Sequence, residues 1–160
     1  MPVTGTKIVA NNIVRYTKGF LRETNRVMKE VEFILDKKIT DNMSLTDHSL
    51  QDLKSLGHPY SRRSGAAPLH DPSYQVHKQS GKLLRSKRSG TEEASVVSGK
   101  LTASAFVMLD ETKAPHANHV IFGTSKMIPR PVLEGSRDEV VEPALTLIQT
   151  KLRNLTVTFR

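Results

Sequence analysis

The sequence FGTSKMIPRP, at residues 122–131, separates two regular elements and decides how the C-terminal half of the chain is organised. Residues 119–122, which lead into this segment, form a short apolar run that predicts a strand. Pro129 and Pro131 fix their own φ and favour extended geometry at the residues before them, which predicts a stiff arm over residues 128–131. Because a stiff arm after a tight turn loses little entropy on binding, this pattern favours docking over catalysis.

The N-terminal region predicts one long amphipathic helix over residues 6–41, since apolar residues recur there at steps of three and four. A short second helix is predicted over residues 47–56. Gly57 suits its C-terminal end, and Pro59 cannot continue it.

The middle of the chain predicts an extended basic loop over residues 58–90. The stretch from His58 to Lys100 contains eight basic and three acidic residues. It therefore supplies +5 of the net charge of +8 that the whole chain carries. Such a surface is usually only solvated, but it also attracts nucleic acid or an acidic partner. No aromatic residue alternates with the basic run, which argues against stacking on single strands. The candidates for facing DNA or an acidic partner are Lys82, Arg85, Lys87 and Arg88.

Beyond this loop, two strands are predicted over residues 94–97 and 101–109, joined as an antiparallel hairpin through Ser98-Gly99-Lys100. Residues 119–122 would add a third strand and residues 156–159 a last short one.

A C-terminal helix is predicted over about residues 136–154, capped by Ser136, with a start or a kink near Pro143. The expected fold is α+β and a single domain over residues 1–160: a long N-terminal helix, then a small antiparallel sheet and a packed C-terminal helix over residues 94–160.

No motif in the sequence predicts enzyme or metal chemistry. His116 and His119 have a plausible local spacing, but no cysteine or HExxH pattern supplies further zinc ligands. There is no G-x-S-x-G elbow, and Ser80-Gly81-Lys82 lacks the first glycine of a phosphate-binding loop, because position 76 is valine. We therefore expect no catalytic site and no cofactor.

Segments that would direct the chain to a membrane are also missing from the sequence pattern. No apolar run approaches the roughly 20 residues that span a bilayer, and the first six residues do not resemble a signal peptide. The chain is expected to be made in, and at first to stay in, a cytoplasm.

The 122–131 string resembles the FGTSKM-x-x-RP-[FV]-L signature of tail-completion proteins, the head–tail joining or neck proteins of long-tailed bacteriophages. The motifs LGHPYS at residues 56–61 and QSGKLL at residues 79–84 occur in the order of that family. Two positions depart from it: Val132 stands where an aromatic residue is common, and Glu134-Gly135 replaces a further Arg-Pro.

The resemblance implies a structural virion protein without enzymatic activity. It would assemble as a ring, expected to be a hexamer, between the head-side connector or adaptor and the tail tube or tail terminator, at the neck of a particle assembled in the bacterial cytoplasm. DNA would pass without sequence-specific contacts, and no membrane would be involved. The alternative is a basic nucleic-acid-binding phage protein. The predicted subunit or partner interface comprises Phe122, Gly123, Thr124, Met127, Ile128, Pro129, Arg130 and Pro131.

Overall fold

A computed structural model describes residues 5–45, 75, 76, 78, 80–125 and 129–158, with side chains described from residue 17 to residue 154 within these ranges. The elements, in chain order, are helix α1 (Gly5–Asn42), helix α2 (Lys82–Arg85), strand β1 (Lys87–Val97), strand β2 (Lys100–Leu109), helix α3 (Ala117–Phe122) and helix α4 (Val132–Thr158). This α+β composition confirms the predicted fold class, with its long N-terminal helix, antiparallel sheet and C-terminal helix.

Two compact units make up the chain, and each contains part of α1, the hairpin and α4. The core unit consists of Ile34–Ser89 and Val107–Glu142. The hairpin unit consists of Met1–Phe33, Gly90–Phe106 and Pro143–Arg160.

The core unit is built around one cluster of apolar side chains. Helix α1 contributes Ile39 and Met43, which are almost fully buried, and α4 contributes Val132 from its first turn. The short helices α2 and α3 add Leu83, Ala117 and Val120. Val107 and Leu109 of β2 pack against the cluster while staying partly exposed. The buried members of this cluster are Ile39, Met43, Val76, Leu83, Ala114, Ala117, Val120 and Val132.

The hairpin unit has a thinner interior. Its buried apolar residues in the described part of the chain are Val27, Val31, Ala94 and Ala144. Across this unit, Lys151 of α4 reaches Glu30 of α1, with Nζ 3.4 Å from Oε1. Both side chains are more than one-third exposed, so this ion pair adds little to stability.

The hairpin was predicted correctly, although β1 begins seven residues earlier than expected and Lys100 belongs to β2. The turn is Ser98-Gly99, with positive φ at both residues (51° and 75°). This combination is typical of a type I′ turn, whose twist matches that of the flanking strands. The start of β1 at Lys87 also corrects the prediction that residues 58–90 form one extended loop, since α2 and β1 occupy its end.

Cross-strand contacts show that the pairing register of β1 and β2 shifts by one residue along the hairpin. Near the turn, Ser95 Oγ lies 3.0 Å from Thr102 Oγ1. Farther along, Ser104 Oγ donates to Glu92 Oε2 at 2.6 Å. Two residues of β1 and one residue of β2 lie between these pairs, which indicates a β-bulge in β1.

A backbone group in the bulge is hydrogen-bonded by a side chain from outside the sheet. Ala94 lies within it, and its backbone N–H donates to Asn25 Oδ1 of α1 at 2.6 Å. Because a bulged residue loses its place in the strand ladder, the asparagine amide satisfies a group that would otherwise be buried without a bond.

The predicted strand over residues 119–122 is wrong, because these residues belong to α3. Val, Ile and Phe favour strands by propensity, but Ala117, Val120 and Ile121 follow a helical spacing and are all buried. Burial on one side of a helix therefore outweighs the local preference.

The C-terminal helix begins earlier and ends later than predicted. Pro131 C=O accepts the N–H of Gly135 (2.9 Å), so the proline occupies the N-cap position and the helix begins at Val132. Ser136 is thus a buried interior residue and not the cap. Pro143 lies inside α4, which excludes a helix start there, and residues 156–158 are helical where a final strand was predicted. The predicted helix over residues 47–56 and most of the predicted loop lie outside the described residues.

Candidate interface at the 122–131 segment

The segment begins at an apolar side chain that the fold leaves in contact with solvent. Ala117, Val120 and Ile121 fix α3 in the core unit, while Phe122 at its end is 69% exposed. Burying a phenylalanine side chain is worth about 1.5–3 kcal/mol. Because the fold buries little of Phe122, most of that free energy would be gained only if the ring packed against another surface.

Gly123 turns the chain away from α3. Its φ of 72° and ψ of −178° lie in a region that is essentially reserved for glycine. Any side chain at position 123 would be strained, so the glycine of the signature has a conformational reason here. It sets the direction in which the chain leaves Phe122.

Arg130 anchors the other end of the segment. Its backbone N–H donates to Val120 C=O (2.9 Å) and Ile121 C=O (3.1 Å), which are carbonyls at the C-terminal end of α3. Its C=O accepts the N–H of Val132 at 2.7 Å, and the side chains of Arg130 and Val132 are both completely buried. The segment therefore leaves α3 and returns to it.

The burial of Arg130 corrects its assignment to the predicted interface. A side chain with no exposed surface cannot contact a partner in this conformation, so Arg130 is an internal residue. Buried guanidinium groups are retained where they are hydrogen-bonded, because the cost of removing a charge from water must be offset. The sequence placed Arg130 beside two prolines, and nothing in that pattern distinguished an internal from an external arginine.

The other predicted interface residues divide by exposure. Phe122 and Pro129 are exposed, whereas Gly123, Thr124 and Pro131 are half-buried. Met127 and Ile128 lie outside the described residues. The two described residues with substantial exposed apolar surface thus flank the segment at its start and near its end.

Lys87, a predicted DNA-facing residue, is instead bound within the core unit. Its Nζ lies 2.7 Å from Asp36 Oδ2, donates to Asp36 C=O at 3.0 Å and also contacts Thr40 Oγ1. Only 12% of its side chain is exposed. A phosphate or an acidic partner would have to compete with Asp36 for this ammonium group, which weakens the case for Lys87 as a contact residue.

Arg88 is exposed but has an internal acidic partner. Its Nη2 lies 2.5 Å from Asp110 Oδ2. The pKa of Asp110 is held below its ordinary value, first by the hydroxyl of Thr112, which donates to Oδ1 at 2.6 Å, and also by the charge of Arg88. Asp110 therefore remains ionised at neutral pH, and it reduces the positive potential that Arg88 presents.

Lys82 and Arg85 remain exposed on α2, as the basic-surface prediction requires. Arg85 Nη2 donates to Ser80 C=O at 3.0 Å, which holds the guanidinium beside the start of the helix. Lys78 is exposed close by: a Cβ built on Gly81 would lie 3.1 Å from Arg85 Nη1 and 3.5 Å from Lys78 Cε. Lys82 and Arg85 thus form, together with Lys78, an exposed basic group at the start of α2.

A polar group at the end of α1 was not identified from the sequence. Asn42 Nδ2 donates to Ser136 Oγ (3.0 Å) and Glu139 Oε1 (3.3 Å) of α4, and its Oδ1 accepts from Gln75 Nε2 (3.1 Å). Its C=O also accepts the N–H of Val76 (2.8 Å). The sequence pattern did not indicate this role of Asn42, because partners 33 and 94 residues away leave no local signal.

The described part of the chain holds no group of three or more His, Cys, Asp or Glu side chains arranged to bind a metal ion. His116 and His119 both lie exposed at α3. Among the helices that the structure describes, none combines the length and the apolar character needed to cross a membrane.

No protein-family model, curated protein or solved structure matches this chain.

Proposed function

We propose that this chain is a structural protein of the neck of a long-tailed bacteriophage, where copies form a ring that joins the DNA-filled head to the tail. The ring, six subunits in this proposal, would contact the portal or connector on one side and the tail tube or tail terminator on the other. The proposal has its origin in the 122–131 signature, and one observation supports it most directly: Phe122 is 69% exposed beside a segment whose ends are fixed.

The arrangement of the segment suits a docking role. Gly123 directs the chain away from α3, and the backbone bonds of Arg130 return it to the same helix. Residues whose backbone is already held in place, as it is at Phe122 by α3 and at Arg130 by its bonds to α3, lose less conformational entropy on binding than disordered ones. An exposed phenylalanine on such a support is the type of residue that contributes strongly to protein interfaces.

Ring formation would require each subunit to present two different surfaces. In a cyclic assembly, one surface of a subunit contacts a different surface of its neighbour. Phe122 and Pro129 would belong to one of these surfaces, or to the surface that meets the neighbouring neck protein. The exposed cations Lys78, Lys82 and Arg85 would be available to passing DNA, through contacts with phosphates that carry no sequence information.

The alternative, a nucleic-acid-binding protein, receives less support because Lys87 and Arg88 pair with carboxylates of the same chain. It makes a distinct prediction about salt. Binding that depends on several phosphate contacts weakens steeply as salt concentration rises. Tight, salt-sensitive DNA binding by a chain that does not form rings would favour the alternative.

The proposal is tested by replacing Phe122 and measuring head–tail joining. Heads and tails lacking this protein would be mixed with purified Phe122→Ala chain, and joined particles would be counted by electron microscopy. We expect joining to fall at least about tenfold, as for loss of an interface residue worth 1.4 kcal/mol or more. Phe33→Ala is the matched control, because Phe33 is 68% exposed but lies on α1.

Light scattering would show whether the wild-type chain, alone or with neck and tail-tube partners, reaches the mass of a ring. Normal joining by Phe122→Ala would remove the assigned role of this residue. A chain that stays monomeric with all of these partners and fails to join heads to tails would remove the neck proposal itself.

A further inference from the structure

The two outer edges of the hairpin differ in how they are protected. On β1, the N–H of Ala94 is bound by Asn25, and the exposed residues Glu92 and Glu93 place negative charge along the strand. A bulge, charged side chains and contacts from another element are all devices by which proteins prevent further strand pairing. The β1 edge is therefore blocked.

The direction of the backbone groups in β2 follows from the hairpin contacts. Lys100 directly follows the two-residue turn, so its backbone groups face β1, and the N–H of Asp110 donates to Ser86 C=O at 2.9 Å. Since backbone groups alternate in direction along an antiparallel strand, the even-numbered residues face β1. The residues whose N–H and C=O groups face the opposite edge are Leu101, Ala103, Ala105, Val107 and Leu109.

The β2 edge lacks the protection found on β1. From Leu101 to Leu109 the strand has no charged residue and no proline. Within the described residues, no backbone hydrogen bond from outside the sheet reaches these nine positions. Leu101 and Met108 also leave exposed apolar surface on its two faces. An uncharged edge of this length is a template for another strand.

We propose that this edge pairs with the same edge of a second copy of the chain, antiparallel and centred on Ala105. The odd-numbered positions of the strand, which share one face of the sheet, are nearly symmetric in apolar character about that residue. With this register, Leu101 lies opposite Leu109 of the second copy, and Ala103 lies opposite its Val107, so apolar side chains meet on both sides of the centre. The alternation of backbone groups fits as well, because odd-numbered residues oppose odd-numbered residues.

Charges at the two ends of β2 favour the same register. Lys100 precedes the uncharged run and Asp110 follows it, so antiparallel pairing about Ala105 brings Lys100 of one copy opposite Asp110 of the other. Asp110 is already ionised and paired with Arg88, so the added lysine selects the register more than it strengthens the pair. A shift of two residues would separate these charges and leave leucine without an apolar partner.

This inference goes beyond the proposed function. A contact between identical edges has twofold symmetry, whereas a ring is closed by contacts between different surfaces. The β2 pair is therefore a dimer of the free protein before ring assembly, in which each copy protects the exposed edge of the other. It does not depend on the 122–131 segment.

Cross-linking through a single introduced cysteine tests the register, since the chain has no native cysteine. In the proposed pair the two Ala105 Cα atoms lie about 5.5 Å apart, within the range for a disulfide. Ala105→Cys chain should therefore oxidise to a covalent dimer in high yield. Ala103→Cys is the matched control, because equivalent Ala103 residues would be about 13 Å apart or more.

Two further measurements complete the test. The wild-type chain should show twice its 17.8 kDa mass by light scattering at high concentration. Lys100→Glu should raise the dimer dissociation constant about two- to fivefold, while Lys37→Glu, the same charge change on an exposed residue of α1, should leave it unchanged.

A wild-type chain that stays monomeric, or equal cross-linking at positions 103 and 105, would overturn the edge pairing. A ring-sized species without cross-linking at position 105 would overturn it too, but leave the neck proposal standing. Conversely, Ala105→Cys could cross-link as expected while Phe122→Ala leaves head–tail joining unaffected. In that case the edge pairing would stand and only the docking role of Phe122 would fail.

Discussion

The core unit and the hairpin unit are built from the same long elements but bury very different amounts of apolar surface. Of the fourteen buried apolar residues in the described part of the chain, ten belong to the core unit. The hairpin unit instead exposes five large apolar side chains: Phe33, Val96, Val97, Leu101 and Leu145. The core unit can therefore be stabilised largely by its own packing, whereas the hairpin unit gains less from burial and leaves more of its apolar surface in contact with solvent.

The same contrast appears in the polar contacts. In the core unit, Lys87 and Asn42 are held by partners that are distant in sequence and come from α1, α4 and the residues before α2. In the hairpin unit, the Lys151–Glu30 pair is exposed and long, and the bond from Ala94 N–H to Asn25 Oδ1 is only partly buried. Long-range buried contacts make the core unit specific in structure.

Matched valine substitutions should show this difference most strongly. Val132→Ala removes a completely buried side chain of the core unit and should lower the free energy of unfolding by about 2–3 kcal/mol, through lost burial and the cavity left behind. Val27→Ala makes the same change at an equally buried site of the hairpin unit, where thin packing can relax, and should cost about 1–2 kcal/mol. Denaturant unfolding of both variants measures the difference; equal losses would contradict the contrast drawn between the units.

A smaller effect is expected from Gly90→Ala in the hairpin unit. A Cβ at this position would lie 2.9 Å from Cζ of Phe106, so the ring must move, and we expect a loss of about 1 kcal/mol. Thermal unfolding of the purified variant measures it. Adding Phe106→Leu should recover part of the loss if the ring is the cause, and no recovery would point to the backbone of β1 instead.

The smallest effect should be the pH dependence contributed by Asp110 in the core unit. Because its pKa is lower in the folded chain than in the unfolded one, its stabilisation is complete above the ordinary carboxyl pKa of about 3.9 and is lost as pH falls through the lowered pKa. Melting temperatures of wild type and Asp110→Asn, compared from neutral to acidic pH, should therefore converge on acidification. A constant difference between them would show that the charge of Asp110 does not contribute.

Strongly periodic stretches allowed most of the fold to be predicted. The helical spacing of apolar residues in α1 and the alternation in β2 are local patterns, and the structure confirms both elements. The position of the turn was predicted to within one residue, because Gly99 readily adopts the positive φ that a two-residue hairpin turn requires. The short run over residues 119–122 was misassigned because four residues are too few to distinguish a strand from one helical turn.

The candidate site was less predictable than the fold. The exposed position of Phe122 agrees with the predicted docking surface, but the burial of Arg130 depends on a bond to the end of α3, an element that the sequence did not reveal. Lys87 was assigned to a basic surface because its acidic partner, Asp36, lies 51 residues earlier in the chain. Neither contact leaves a local signal.

The sequence by itself determined the long helices, the hairpin and its turn, because each depends on periodicity or on the conformational preferences of neighbouring residues. Only the tertiary structure decided that residues 119–122 are helical, that Arg130 is internal and that Lys87 is neutralised by Asp36. These outcomes depend on which distant side chains become neighbours. Burial and charge pairing are properties of that neighbourhood, and a residue's own sequence context does not contain it.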